Sequence, residues 1–125
     1  MILGTGTDLC DSRRIARLMT RFDERFLDRV FTPAERALCD RRAPEQRILC
    51  YAKRFAAKEA FLKALGTGLV RGIAWQDMAI TLTPAGQPVL SAPHLLTQHG
   101  WDGAHIHLSL ADEPPYALAF VVISR

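Results

Sequence analysis

From 45 to 65 the chain runs without a glycine or a proline, in residues that favour helix. The run predicts the longest helix of the protein. Ile48, Ala52, Phe55 and Leu62 recur at steps of four, three and seven, and Leu49 and Ala56 widen that apolar face. Glu59 falls inside the stripe. A carboxylate placed there is a candidate for burial, and a buried carboxylate needs a cation or strong hydrogen bonds. Lys63, four residues on, offers the ordinary answer of a Glu–Lys pair at the core edge. The other answer is a second carboxylate facing Glu59 with a cation between them. The turn Leu65-Gly66-Thr67-Gly68 stops the helix.

A candidate for the second carboxylate stands near the start. Residues 2–9 read as a strand, with Ile2, Gly4, Gly6 and Asp8 on one side and Leu3, Thr5, Thr7 and Leu9 on the other. The glycines leave room for close approach by another element, and Asp8 sits near the strand end. A helix follows, capped by Asp11 or Ser12. Its apolar stripe is Ile15, Leu18, Met19 and Phe22. Beside it runs Arg14, Arg17, Arg21 and Arg25. Asp23 and Glu24 interrupt the pattern, and Phe26, Leu27, Val30 and Phe31 resume it in a short second helix. Thr32-Pro33-Ala34-Glu35 is a helix start, with a capping threonine, proline at the first position and glutamate three residues after the cap. That helix ends before Pro44.

The remainder is β-rich. Met78, Ile80 and Leu82 alternate with Ala79, Thr81 and Thr83, and Pro84, Gly86 and Pro88 mark a turn. Ser91–His99 reads as a short helix. Along 104–110, His105, His107 and Ser109 share one side and Ile106, Leu108 and Leu110 the other. Tyr116–Ile123 is a final strand rich in β-branched and aromatic residues. One strand, several helices and then strands give an α+β fold. A length of 125 residues fits one domain, 1–125.

With 49% apolar and 23% charged residues the chain is an ordinary globular sequence, not a disordered one. Three cysteines without zinc-motif spacing point to a reducing compartment. The N-terminus lacks the basic flank of a signal peptide, and no apolar run approaches the ~20 residues of a membrane span. The expectation is a cytoplasmic protein. Its net charge of +3 is unevenly spread: residues 1–63 carry fourteen Lys and Arg against nine Asp and Glu, and residues 64–125 carry two against four. A basic half is either a solvated helical surface or a surface for an acidic partner or a phosphate-rich ligand.

Oxygen ligands such as Asp8 and Glu59 suit magnesium, which keeps several waters and accepts phosphate oxygens. Arg54, Lys58 and Lys63 share the long helix with Glu59 and can serve phosphate. The Gly66-Thr67-Gly68 turn offers backbone N–H groups to an anion. It is not a P-loop, and no dinucleotide fingerprint is present. His107 reads more readily as a packed or surface strand residue than as a catalyst, and zinc is disfavoured without a cysteine pattern. A small nucleic-acid-binding module would explain the arginine stripe, but acids interleave with it and no helix-turn-helix or aromatic pattern accompanies it.

Four segments carry a family resemblance: GTDLCDSRRI at 6–15, VFTPAE at 30–35, KRFAAKEAFLKALGTG at 53–68 and HLSLADEPPYALAFVVI at 107–123. In this order they resemble the bacterial holo-[acyl-carrier-protein] synthases, the short type of phosphopantetheinyl transferase. The resemblance spans almost the whole chain. It implies an α+β fold with a long central helix packed on an antiparallel sheet. It implies transfer of 4′-phosphopantetheine from coenzyme A to a serine of an acidic apo-acyl carrier protein, releasing adenosine 3′,5′-bisphosphate. Asp8 and Glu59 match its magnesium-binding carboxylates, with Glu59 taking the serine proton directly or through water. Lys63 matches a lysine beside the transferred phosphate. Arg54, Lys58, Lys63, Gly66, Thr67, Gly68 and His107 match its coenzyme A region, and Arg14, Arg21, Arg25 and Phe26 its carrier-docking helices. A homotrimer with active sites between subunits is implied as well, with no role for nucleic acid or membrane. Two positions depart from the commoner pattern: Gln87 where a lysine is usual, and Asp112 where many relatives carry histidine.

Overall fold

A computed structural model describes residues 1–68 and 72–125. Strand β1 (Ile2–Asp11) leads into helices α1 (Ser12–Phe22), α2 (Glu24–Val30), α3 (Pro33–Asp40) and α4 (Pro44–Leu65). Strands β2 (Ala79–Leu82) and β3 (Pro88–Ser91), helix α5 (Pro93–Gln98), and strands β4 (His105–Glu113) and β5 (Tyr116–Ser124) complete the chain. One antiparallel sheet has the order β1-β5-β4, and β2 and β3 form a second antiparallel pair. The fold is α+β, as expected.

Local chemistry accounts for the boundaries. Asp11 caps α1 by accepting from the Arg13 N–H at 2.9 Å. Asp23, in the left-handed region at φ 52°, separates α1 from α2. Thr32 and Glu35 form the reciprocal capping box of α3, with Pro33 at its start. Gly66 ends α4 at φ 82°, its N–H donating to Leu62 and Lys63 carbonyls.

Helix α4 lies against β1 and β5, and the contact with β1 is at backbone distance. A Cβ added to Gly6 would stand 2.0 Å from the Ala60 carbonyl oxygen, and one at Gly4 2.1 Å from that of Ala64. Only glycine on the strand permits this approach. From β5, Ala117, Ala119, Val121 and Ile123 are buried on the same inner face.

The apolar stripe of α4 is wider than the sequence periodicity indicates. From Leu49 to Leu65 only Lys53, Glu59 and Lys63 escape burial. The helix is covered on both sides, by the sheet and by α1, α3 and their neighbours, so its burial no longer follows one face. Cys39 of α3 and Cys50 of α4 are disulfide-bonded, with Cα atoms 5.5 Å apart. The sequence spacing gave no sign of that pairing, which arises because α3 and α4 pack side by side. Among the described residues no helix is long and apolar enough to cross a membrane.

Candidate active site

Strand β1 turns Asp8 toward α4, on the side of the strand shared with Gly4 and Gly6. The Lys63 ammonium reaches across from α4, donating to Asp8 Oδ1 at 3.1 Å and to the Thr7 carbonyl at 3.0 Å. Lys63 therefore pairs with the strand carboxylate rather than with Glu59 on its own helix. Glu59 stands one helical turn before Lys63 and is half-buried. Burial lifts its carboxyl above the ordinary carboxylate range, and the negative charge of Asp8 lifts it further; Arg14 and Lys63 oppose both. Two carboxylates, one ammonium and one guanidinium thus share a field at the junction of β1, α1 and α4. The Cys10 thiol next to them is pushed up to about 11, first by burial and then by Asp8, and stays protonated. Among the described residues no group of three His, Cys, Asp or Glu side chains gathers as a metal cage.

The other basic groups of α4 separate into different places. Lys58, grouped by the sequence with the coenzyme-binding residues, is buried in the structure. Its ammonium is fully enclosed, donating to the Val30 carbonyl at 2.7 Å and to Glu35 Oε1 at 2.8 Å. Lys58 has no open face toward a ligand. Burial pulls its pKa down while Glu35 holds it up. Glu35 completes the network, its Oε2 accepting from the Ile80 N–H at 2.7 Å.

Arg54 is 4% exposed and lines a cavity of about 230 Å³ with Arg42, Lys53, Leu82, Gly86 and Pro88. Its Nη1 donates to the Cys50 carbonyl at 3.2 Å, while its Nε has no hydrogen-bond partner among the described residues. Lys53 at the same cavity pairs with Asp112 at 3.0 Å, which gives the departure from histidine at 112 a structural role. Five residues along a helix is a rotation of about 140°, so Arg54 and Glu59 project from nearly opposite sides of α4. His107 lies on the outer face of the sheet, its Nε2 2.9 Å from the Ser124 hydroxyl oxygen. One chain therefore does not gather His107 and Arg54 around Asp8 and Glu59. The Gly66-Thr67-Gly68 turn follows Lys63 at the end of α4, with Gly68 at φ 64°.

Arg14, Arg21 and Arg25 are exposed, and Arg14 stacks on Phe55 with its guanidinium carbon 5.5 Å from the ring centre. Phe26 is partly buried, edge-on to Phe31 at 6.0 Å and tilted against Phe55 at 6.4 Å. On the outer face of the sheet, Leu9, Tyr116, Leu118 and Phe120 are all exposed, the first by 64%.

Residues 4–121 match the 4′-phosphopantetheinyl transferase superfamily. The chain belongs to that family. It is 52% identical to a holo-[acyl-carrier-protein] synthase of Methylorubrum extorquens, over 98% of this chain and 93% of the relative. A crystal structure of holo-[acyl-carrier-protein] synthase from Neisseria meningitidis superimposes with a TM-score of 0.87 at 35% identity, covering 100% of both chains. The Helicobacter pylori synthase, solved in complex with coenzyme A, gives a TM-score of 0.84 at 27% identity, covering 96% of this chain and 99% of that one. The relatives thus share with this chain both its sequence and its architecture over nearly the whole length.

Proposed function

We infer that residues 1–125 form a holo-[acyl-carrier-protein] synthase domain, moving 4′-phosphopantetheine from coenzyme A to a serine of an apo-acyl carrier protein. The family membership carries the reaction class. The observation that carries the site is the facing of Asp8 and Glu59 with Lys63 at the same junction.

The donor set fits magnesium. Asp8 raises the proton affinity of Glu59, two hard oxygen carboxylates so placed want a cation, and magnesium is commonly held by one or two carboxylates plus substrate phosphates. Asp8 and Glu59 would hold it, and it would supply charge neutralisation at the diphosphate. The remaining work belongs to the protein. Glu59 takes the proton of the attacking serine hydroxyl in this reading, directly or through water. The serine oxygen bonds to the pantetheine-side phosphorus, and the bond to the other phosphate breaks, releasing adenosine 3′,5′-bisphosphate. Lys63 donates to the phosphate oxygens as charge moves toward the leaving group.

The Arg54 cavity, with Arg42 and Lys53 beside a guanidinium nitrogen that has no partner among the described residues, has the charge to take the phosphate-bearing adenosine end of coenzyme A. The Gly66-Thr67-Gly68 turn, beside Lys63, would contact the pantetheine end, and His107 the coenzyme from another subunit. Because Arg54 and Glu59 lie on nearly opposite sides of α4, two copies of the chain complete one site. An exposed apolar sheet face of Leu9, Leu118 and Phe120 gives those copies a surface to meet on, and a closed homotrimer satisfies both features. Arg14, Arg21 and Arg25, with Phe26 as their apolar neighbour, form the docking face for the acidic carrier.

Incubation with coenzyme A, magnesium and apo-carrier, followed by weighing the carrier, tests the reading. The carrier gains one phosphopantetheine, and chelation abolishes the gain. A carrier that keeps its apo mass across several plausible carriers overturns it.

A further inference from the structure

The buried ion pair of Lys58 and Glu35 ties together four elements. Lys58 Nζ binds the last carbonyl of α2, Val30, at 2.7 Å. Glu35 Oε1 accepts from the Thr32 N–H at 2.9 Å as well as from Lys58, and Oε2 accepts from Ile80 of β2. Both side chains are 0% exposed. Stability alone is a poor reason for such a pair, since apolar residues of similar volume are often as stable or more so. What the pair supplies is direction.

Its place in the sequence says direction of what. Lys58 immediately precedes Glu59, and Ala60 immediately follows. Ala60 is held at backbone distance against Gly6 of β1, the strand that carries Asp8. Helix α4 is therefore pinned at 58 to the α2–α3 corner and at 60 to β1, and Glu59 stands between the pins. Side chains reach about 5–6 Å from a helix axis, so a rotation of roughly 10° moves a carboxylate by about 1 Å. A displacement of that size at a reacting group costs about 10²-fold in rate.

We propose that the Lys58–Glu35 pair is a positioning device that fixes the rotation of α4 and thereby the approach of Glu59 to Asp8. The proposal rests on the reading of Asp8 and Glu59 as the transfer site. Two variants test it: Lys58→Met, and the neutral pair Glu35→Gln/Lys58→Met, which keeps the volume and removes both charges. Melting identifies which variants fold. In those, kcat for carrier modification falls about 10²-fold while the carrier KM stays within about twofold. Mn²⁺ binding to the substrate-free enzyme, read by electron paramagnetic resonance, weakens by about tenfold or more. A folded neutral pair with the wild-type kcat and Mn²⁺ affinity overturns the proposal. So does failure of both variants to fold, which makes the pair scaffolding alone. If the wild-type chain modifies no carrier, the assigned reaction fails, and the Mn²⁺ arm still decides the positioning.

Discussion

Lys58 and Lys63 stand five residues apart on one helix, and each meets a carboxylate at nearly the same distance, 2.8 Å to Glu35 and 3.1 Å to Asp8. Their surroundings make them different objects. The Lys58 pair has no exposed surface, and its ammonium donates only to groups of the scaffold. The Lys63 side chain is 54% exposed and its ammonium lies over an open junction. A contact distance therefore does not say what a pair is for; burial does. Each ammonium makes two hydrogen bonds to the protein, but only that of Lys63 is open to a ligand.

The largest effect that sharpens this contrast is on the carboxylates of the open side. Asp8→Asn and Glu59→Gln should each lower carrier modification by about 10³-fold or more, the scale of general acid–base and electrostatic contributions together. Thermal melting should show no loss of stability in either variant. Near wild-type rates by mass measurement would remove both residues from the site.

The lysines themselves come next. Lys58→Ala leaves Glu35 buried without its cation and should cost about 3–5 kcal/mol of stability, measured by denaturant unfolding. Lys63→Ala should cost no more than about 1 kcal/mol, as for other exposed pairs, yet reduce kcat by about 10²-fold. Equal denaturation midpoints for the two variants would break the contrast.

The sequence made only part of this contrast readable. Glu59 was visible because an acid on an apolar helical stripe is out of place, and the Thr32–Glu35 capping box because its four residues are contiguous. The burial of Lys58 was not visible, because charges on one helix were read together although neighbours 100° apart reach different elements. The burial of Glu35 was hidden behind its own cap: a local role explained it fully, and its partners Lys58 and Ile80 lie 23 and 45 residues away. The same holds for the cavity at Arg54, which Arg42 and the turn before β3 complete from distant positions. The glycines of β1 announced close approach, but that Ala60 and Ala64 would fill it is a tertiary fact. What was legible came from local patterns, and the rest is set by contacts between elements that no periodicity encodes.

A smaller effect separates the open side from its approach surface. Arg14 is exposed and acts on the site partly through its charge, which lowers the Glu59 pKa. If Arg14 also steers an acidic carrier, Arg14→Ala should raise the carrier KM several-fold at low ionic strength. The difference should shrink as salt shortens the screening length from about 30 Å at 0.01 M to about 8 Å at 0.15 M. A KM increase that ignores salt would assign Arg14 to packing on Phe55 instead.

The smallest expected effect is the pH dependence of stability, and it bears on why the open side is kept unsatisfied. Burial and Asp8 raise the Glu59 carboxyl in the folded chain above its unfolded value. Between those two values the folded state holds more protons than the unfolded one, so stability falls as pH rises through that window. Above it the ionised Glu59 is a standing penalty on the fold. Glu59→Gln removes the titration, so without divalent metal the variant should match the wild type below the ordinary carboxylate range and exceed it slightly at neutral pH. Adding Mg²⁺ should raise the wild-type midpoint and leave that of Glu59→Gln almost unmoved, because only a site with both carboxylates binds the folded state well enough to shift it. The opposite pH trend, with the wild type gaining on the variant as pH rises, would mean that Glu59 is stabilised by its neighbours and that the strain read at the Asp8–Glu59 junction is absent.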